Sequence, residues 1–262
     1  MAACPPRNVL DAFRAAGPLR RLAGGQGTSF RAGDVILKPV DDPHVADWIA
    51  SLFHRLSGPG FQVSRPVRSC GGEWIVEGWS AWNRFGGRHV TGRWADRMTA
   101  CAMFHRALAG EPRPDFVGRL ADPWSIADRM AWGEIAIESL PVTRPFIHRL
   151  LARLEPSHAT NQLIHGDVAG NFLFAAGEPP CIIDFSPYWR PAEFALAVLV
   201  VDAITWSNAN PAMLSASGVS RAMLARAALR RILEHDLHHR LRGRPTLGDL
   251  PYYERLFGLL GW

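Results

Sequence analysis

Two hydrophobic patterns divide the chain. Up to about residue 80, short apolar runs alternate with Gly, Pro and Asp. Residues 34–40 (DVILKPV) predict a strand closed by Pro39, and residues 63–69 and 74–76 predict two more around a Gly71-Gly72 turn. Between them Val45, Trp48, Ile49, Leu52, Phe53 and Leu56 recur at helical spacing and predict one amphipathic helix. Residues 22–30 (LAGGQGTSF) are glycine-rich. Such an order predicts a small antiparallel sheet with one helix packed on it. Beyond residue 80 the period becomes helical, over 90–108, 141–154, 191–206 and 219–241, interrupted by strand-like runs at 162–164 and 181–185. The tryptophan-rich stretch 122–136 fits neither pattern. The reading is α+β in two parts: a small mixed lobe over 1–79 and a larger, mainly helical lobe over 80–262.

Composition narrows the function classes. With 262 residues, 48% hydrophobic and 20% charged, the chain has material for a real core and is not broadly disordered. Its longest apolar run, 194–204, contains Asp202 and is too short to span a bilayer, which takes about 18–20 residues. The first residues lack the apolar stretch of a signal peptide, so no membrane partner is expected. Cys4, Cys70, Cys101 and Cys181 show no metal or disulfide spacing, and a reducing, cytoplasmic setting is expected. The net charge of +5 permits an anionic partner. Its nearest approach to a patch is Arg226, Arg230, Arg231, Arg240, Arg242 and Arg244, with no nucleic-acid recognition motif around them, so nucleic acid is not the expected partner. No pattern fixes the oligomeric state. One detail is sharper: Lys and Arg total 29, and Lys38 is the sole lysine. In an arginine-biased chain, the one ammonium retained marks a place where a planar guanidinium does not fit.

Candidate chemistry sits in residues 163–174, LIHGDVAGNFLF, and in CIIDF at 181–185. Asp167 follows an apolar run, Asn171 comes four residues later, and Asp184 ends a second apolar run. A carboxylate and an amide at a loop edge, with a second carboxylate from a neighbouring strand, suit Mg²⁺, which takes one or two protein oxygens and leaves room for phosphates and water. Asp167 can then orient a substrate hydroxyl and accept its proton. His165 reads as a structural histidine bonded to the loop backbone. The histidines at 235, 238 and 239 read as a solvated helix end rather than a metal site.

The segments IHGDVAGN (164–171) and IDF (183–185), with Asp202 in the helix that follows, resemble the aminoglycoside phosphotransferase family, which has a protein-kinase-like fold. The resemblance implies that Asp167 is the catalytic aspartate and that Asn171 and Asp184 ligate magnesium. Asp202 would be a buried residue pinning the catalytic loop through backbone amides near His165. Gly24, Gly25 and Gly27 would let a loop approach nucleotide phosphates, and Lys38 in VILK (35–38) would reach the α- and β-phosphates. Glu77, Gly78 and Trp79 would form the hinge for the adenine edge, with Trp79 and Trp82 near the nucleotide. FHRAL (104–108) resembles a helix segment common in the family. ATP would lie between the lobes as its Mg²⁺ complex, and its γ-phosphoryl group would pass to a hydroxyl of a small molecule.

Two features depart from the family pattern. The interval from Asp167 to Asn171 is one residue short, and the loop 168–170 lacks the usual basic or polar residue. The helix at 45–56 carries no glutamate to pair with Lys38; Asp47 is the nearest substitute. These departures keep open a catalytically impaired, nucleotide-binding or regulatory protein of the same fold. The basic balance and the absence of an acidic run near the C-terminus point to a neutral or anionic acceptor.

Overall fold

The computed structural model describes residues 4–23, 27–243 and 247–262. In chain order its elements are α1 (Arg7–Ala12), β1 (Arg20–Arg21), β2 (Phe30–Ala32), β3 (Val35–Pro39), α2 (Pro43–Arg55), β4 (Gln62–Val63), β5 (Pro66–Val67), β6 (Ile75–Val76), β7 (Trp79–Asn83), α3 (Trp94–Leu108), α4 (Pro123–Ala131), α5 (Arg144–Leu151), β8 (Gln162–His165), β9 (Phe172–Leu173), β10 (Cys181–Ile182), β11 (Pro187–Arg190), α6 (Ala192–Trp206), α7 (Ala212–Ala216), α8 (Arg221–Arg242) and α9 (Tyr253–Leu260), with a 3-10 segment at Leu247–Tyr252. They divide into two compact units, one of residues 1–89 with 173–183, the other of residues 90–172 with 184–262.

The first unit is built on an antiparallel sheet in the order β1-β2-β3-β7-β5, with β6 also paired to β7. β7 is central: Lys38 lies opposite Ser80 and Leu37 opposite Ala81. For that reason the unit runs on past residue 79 and ends at residue 89. Asp42 caps α2 by accepting from the backbone N–H groups of His44 and Val45. Of the positions its periodicity picks out, Leu52 and Phe53 are buried and Val45, Trp48 and Ile49 half-buried; Ala50 joins the buried face. The short α1 has no strong sequence signal and forms because Val9 and Phe13 complete a core with Phe30, Ala32, Leu37, Trp79 and Ala81. Trp79 is a core residue, with its ring 5.9 Å from that of Phe30.

In the second unit α6 is apolar nearly all round, and it is buried accordingly. It packs with α3, α8, α9 and β8, while α4 and α5 lie against α8. Strands β8 and β11 pair antiparallel, placing His165 opposite Pro187 and Ile164 opposite Tyr188. The tryptophan-rich stretch resolves into α4, capped by Asp122. Trp132, just after it, packs its ring against the guanidiniums of Arg190 and Arg226, at 5.0 and 4.5 Å. No helix among the described residues is long and apolar enough to cross a membrane. All four cysteines are free.

Candidate functional site

The loop after β8 holds the first group of predicted residues. His165 is fully buried. Its backbone N–H donates to Nε2 of His105 (3.0 Å), and Nδ1 of His105 lies 2.7 Å from the carbonyl of Cys101. His105 is therefore a neutral Nδ1–H tautomer, and burial pulls its pKa down to about 4. The Nδ1 of His165 accepts from the backbone N–H of Asp167 (3.2 Å) and of Ser186 (3.4 Å). The histidine thus gathers the loop backbone around its ring, the structural job its sequence suggested. Gly166 follows because a Cβ there would collide with the ring of Tyr188, and its N–H donates to the carbonyl of Ser186 (2.9 Å).

Asp167 is half-exposed at the end of this turn. Its Oδ1 accepts from Nη2 of Arg231 at 2.6 Å. That guanidinium also holds Asp202, through Nε (3.0 Å) and Nη2 (2.5 Å), and reaches Glu234 through Nη1 (2.8 Å). The neighbouring Arg230, fully buried, donates to the carbonyl of Gly166 and pairs with Glu234 at 2.8 Å. The positive charge of Arg231 beside Asp167 holds its carboxyl well below the usual carboxylate range. Burial pushes Asp202 the other way, upward, with Arg231 opposing it. Asp202 therefore meets the loop through a guanidinium. The direct contact with amides near His165 is not what holds it, since the His165 amide is taken by His105.

The shortened loop closes on itself. Asn171 donates from Nδ2 to the carbonyl of Asp167 (2.6 Å), and its N–H donates to the carbonyl of Val168 (3.1 Å). With its amide nitrogen committed, Asn171 keeps Oδ1 as its acceptor. A third arginine, Arg97, donates to the carbonyls of Ala169 (2.7 Å), Val90 (2.7 Å) and Gly92 (2.9 Å). Arginines from α3 and α8 thus contact a loop that has no basic side chain of its own.

Asp184 is exposed and sits at φ 52, a left-handed conformation in a non-glycine residue. Such a backbone is uncommon, and Asp is one of the few residues that adopts it readily. The segment 173–183 belongs to the first unit, so the chain leaves the second unit just after Asn171 and re-enters it at Asp184. The two candidate ligands flank one excursion. Two hard oxygen donors of this kind fit magnesium, which needs few protein ligands. Among the described residues no group of three or more His, Cys, Asp or Glu gathers around a potential metal position.

In the first unit Lys38 lies on β3, and burial lowers its pKa to about 8. Gly27 takes φ 64 in the turn joining β1 to β2, where the N–H of Leu22 donates to the carbonyl of Ser29 (2.9 Å). Gly24 and Gly25 lie outside the described residues. Asp47 is exposed on α2. Glu77 and Gly78 do not form a hinge between units. Both have positive φ and make the two-residue turn of the β6–β7 hairpin, with Val76 opposite Trp79. The connection to the second unit comes after β7, in residues 84–89.

The arginine patch and the histidine run also change character. Arg226 and Arg230 are buried, and Arg231 is nearly so. The histidine run is no solvated helix end. His238 is buried against Trp124, with ring centroids 4.5 Å apart, and Nε2 of His235 lies 3.2 Å from the hydroxyl of Tyr253. Asp236 between them is fully buried and accepts from Leu140, Thr143 and Arg240. Sequence reasoning gave no site role to His105, Arg97, Arg230 or Arg231, although Arg230 and Arg231 stood in its basic run and His105 in FHRAL. The available signal was the placement of Arg230 and Arg231 within a helix whose flanking positions are apolar.

No protein-family model matches the sequence, and no curated protein matches it. Solved structures do. Choline kinase LicA from Streptococcus pneumoniae is 13% identical with a TM-score of 0.60, covering 98% of each chain. A thermostable mutant of aminoglycoside phosphotransferase APH(4)-Ia, in a ternary complex with AMP-PNP and hygromycin B, is 14% identical with a TM-score of 0.61, covering 97% of this chain and 96% of the other. Amicoumacin kinase hAmiN, in complex with AMP-PNP, Ca2+ and Ami, is 14% identical with a TM-score of 0.59, covering 96% and 91%. The chain has the protein-kinase-like fold of these small-molecule phosphotransferases.

Proposed function

We propose that the protein is a small-molecule kinase that transfers the γ-phosphoryl group of ATP to a hydroxyl, releasing ADP. The observation that carries this reading is the fixed carboxylate of Asp167. It sits at the tip of a loop held from several sides, with Asn171 and Asp184 flanking the excursion that follows. In phosphoryl transfer the protein contributes mostly position and charge compensation. A carboxylate as acidic as Asp167 orients the attacking hydroxyl through a hydrogen bond rather than storing its proton. Oδ1 of Asn171 and the carboxylate of Asp184 would hold magnesium, which when bound neutralises charge on the phosphates. Lys38 and Gly27 would serve the phosphates from the first unit. His165 and Asp202 support the catalytic loop. The adenine-edge role moves from Glu77, Gly78 and Trp79 to the chain leaving β7. In this reading the first unit is nucleotide-binding and the second catalytic.

The acceptor is proposed to be neutral or anionic. The carboxylate that would meet it is already paired with Arg231, which weakens any pull on a polycation. The known neighbours span several acceptors: spectinomycin phosphotransferase crystallised with ADP and its antibiotic, and APH(4)-Ia with hygromycin B.

Incubating the purified protein with Mg-ATP and a panel of sugars, amino alcohols, organic acids and aminoglycosides, and following ADP release, tests the proposal. Turnover with a neutral or anionic acceptor is expected, falling by about 100-fold or more in Asp167→Asn. Nucleotide binding without turnover, unchanged by Asp167→Asn, would instead establish a regulatory module. Efficient aminoglycoside turnover would overturn the acceptor class.

A further inference from the structure

We infer that Arg231 is a positioning residue for Asp167, and that Arg230 and Glu234 complete a clamp through which α8 fixes the catalytic loop. The inference rests on the reading of Asp167 as the residue that receives the acceptor hydroxyl. Consecutive residues of one helix grip consecutive residues of the loop: Arg230 takes the carbonyl of Gly166, and Arg231 takes the carboxylate of Asp167. Glu234, one turn further along α8, pairs with both guanidiniums and holds them side by side. Asp202, from α6, closes the arrangement from behind Arg231. Two guanidiniums thus face three carboxylates, and all but Asp167 are largely buried.

Geometry decides why an arginine is needed. Arg231 contacts three carboxylates with all three nitrogens of one rigid plane, Nη2 to Asp167, Nε and Nη2 to Asp202, and Nη1 to Glu234. A lysine has one ammonium and cannot span these positions. The contact to Oδ1 leaves the other oxygen of Asp167 to receive a hydroxyl, with the plane of the carboxylate fixed. Misplacing a catalytic group by about 1 Å can cost about 100-fold in rate. The loop 168–170, one residue short and without a basic side chain of its own, takes its rigidity from this clamp and from Arg97.

The test uses the full-length protein with Arg231→Met, Arg231→Lys and the double variant Arg231→Met/Asp202→Asn, which removes the carboxylate the first change leaves stranded. Turnover is measured with whichever acceptor the panel identifies. Hydrogen–deuterium exchange is measured without ligands over residues 165–171, where Gly166, Asp167 and Asn171 donate within the site, and over β3 as a distant control. For Arg231→Met, kcat is expected to fall by about 100-fold while KM for ATP stays within about twofold, with Arg231→Lys recovering about a tenth of wild-type kcat. Loop exchange should quicken by about tenfold or more with β3 unchanged. Wild-type kcat within about threefold in Arg231→Met, or unaltered loop exchange, overturns the inference. If Arg231→Met does not fold, wild-type kcat or wild-type loop exchange in Arg231→Lys or the double variant overturns it equally. Should the wild-type protein turn over no acceptor, the exchange measurement still decides the clamp, and only the kinase reading falls.

Discussion

Lys38 shows what a single side chain is made to bear. The residue is half-buried, and desolvation lowers its pKa from 10.5 to about 8. Between those two values the unfolded chain holds a proton that the folded chain has released, so stability rises as pH climbs from about 8 towards 10.5. Below about 8 both states carry the proton. Wild-type stability should therefore rise relative to that of Lys38→Met, by about 2–3 kcal/mol, between pH 7 and pH 10.5. Urea denaturation of both at pH 7 and pH 10 checks this, and a difference that does not change with pH would refute it. The same substitution should abolish nucleotide binding if Lys38 meets phosphates. A residue kept at a cost in stability is the kind that function retains. The single lysine was visible in the sequence; its buried setting was not, because burial depends on strands far along the chain.

At the scale of elements, the loop 165–171 was legible as a candidate site and its supports were not. Asp167, Asn171 and Asp184 stand out because polar residues interrupt apolar runs at short range, which one sequence window captures. His105, Arg97, Arg230 and Arg231 act across 60 residues or more, or from a different helix, and each looks ordinary in its own window. The reading of Asp202 as a direct anchor of loop amides failed for the same reason: the guanidinium between them belongs to α8. Helix cores fared better than helix ends, since α2, α3, α6 and α8 follow from periodicity while their termini depend on caps and packing. Gly166 gives the sharpest test of loop packing. Gly166→Ala drives a methyl group into the Tyr188 ring, itself held by Arg230 at 4.6 Å. A loss of about 1–3 kcal/mol is expected by thermal or chemical denaturation. A melting temperature equal to wild type would show that β11 yields freely.

Over the whole molecule, part of the positive charge is spent inside, while arginines such as Arg14, Arg55, Arg106 and Arg144 stay exposed. Arg190 pairs with Asp128 and Glu134, Arg230 and Arg231 with Glu234, Arg240 with Asp236, and Arg226 with two backbone carbonyls. Within the run that looked in sequence like a basic patch, Arg226, Arg230 and Arg231 are buried or nearly buried braces in the second unit, while Arg242 is exposed. Fluorescence anisotropy with a single-stranded RNA at 150 mM salt should give a Kd weaker than about 10 μM; submicromolar binding with a steep salt slope would contradict this picture. The division at residue 89 carries the same lesson. A turn such as Glu77-Gly78 looks like a linker until its partner strand is known, and β7 reveals itself only by pairing with β3.

The arginine economy leaves the molecule one further property. Apart from the α-amino group, Lys38 is the only primary amine in the chain, and near pH 8 a substantial share of it is unprotonated. An amine-selective acylating reagent small enough to enter would find a single lysine side chain. The protein thus carries a built-in chemical handle at the very position proposed to meet the nucleotide.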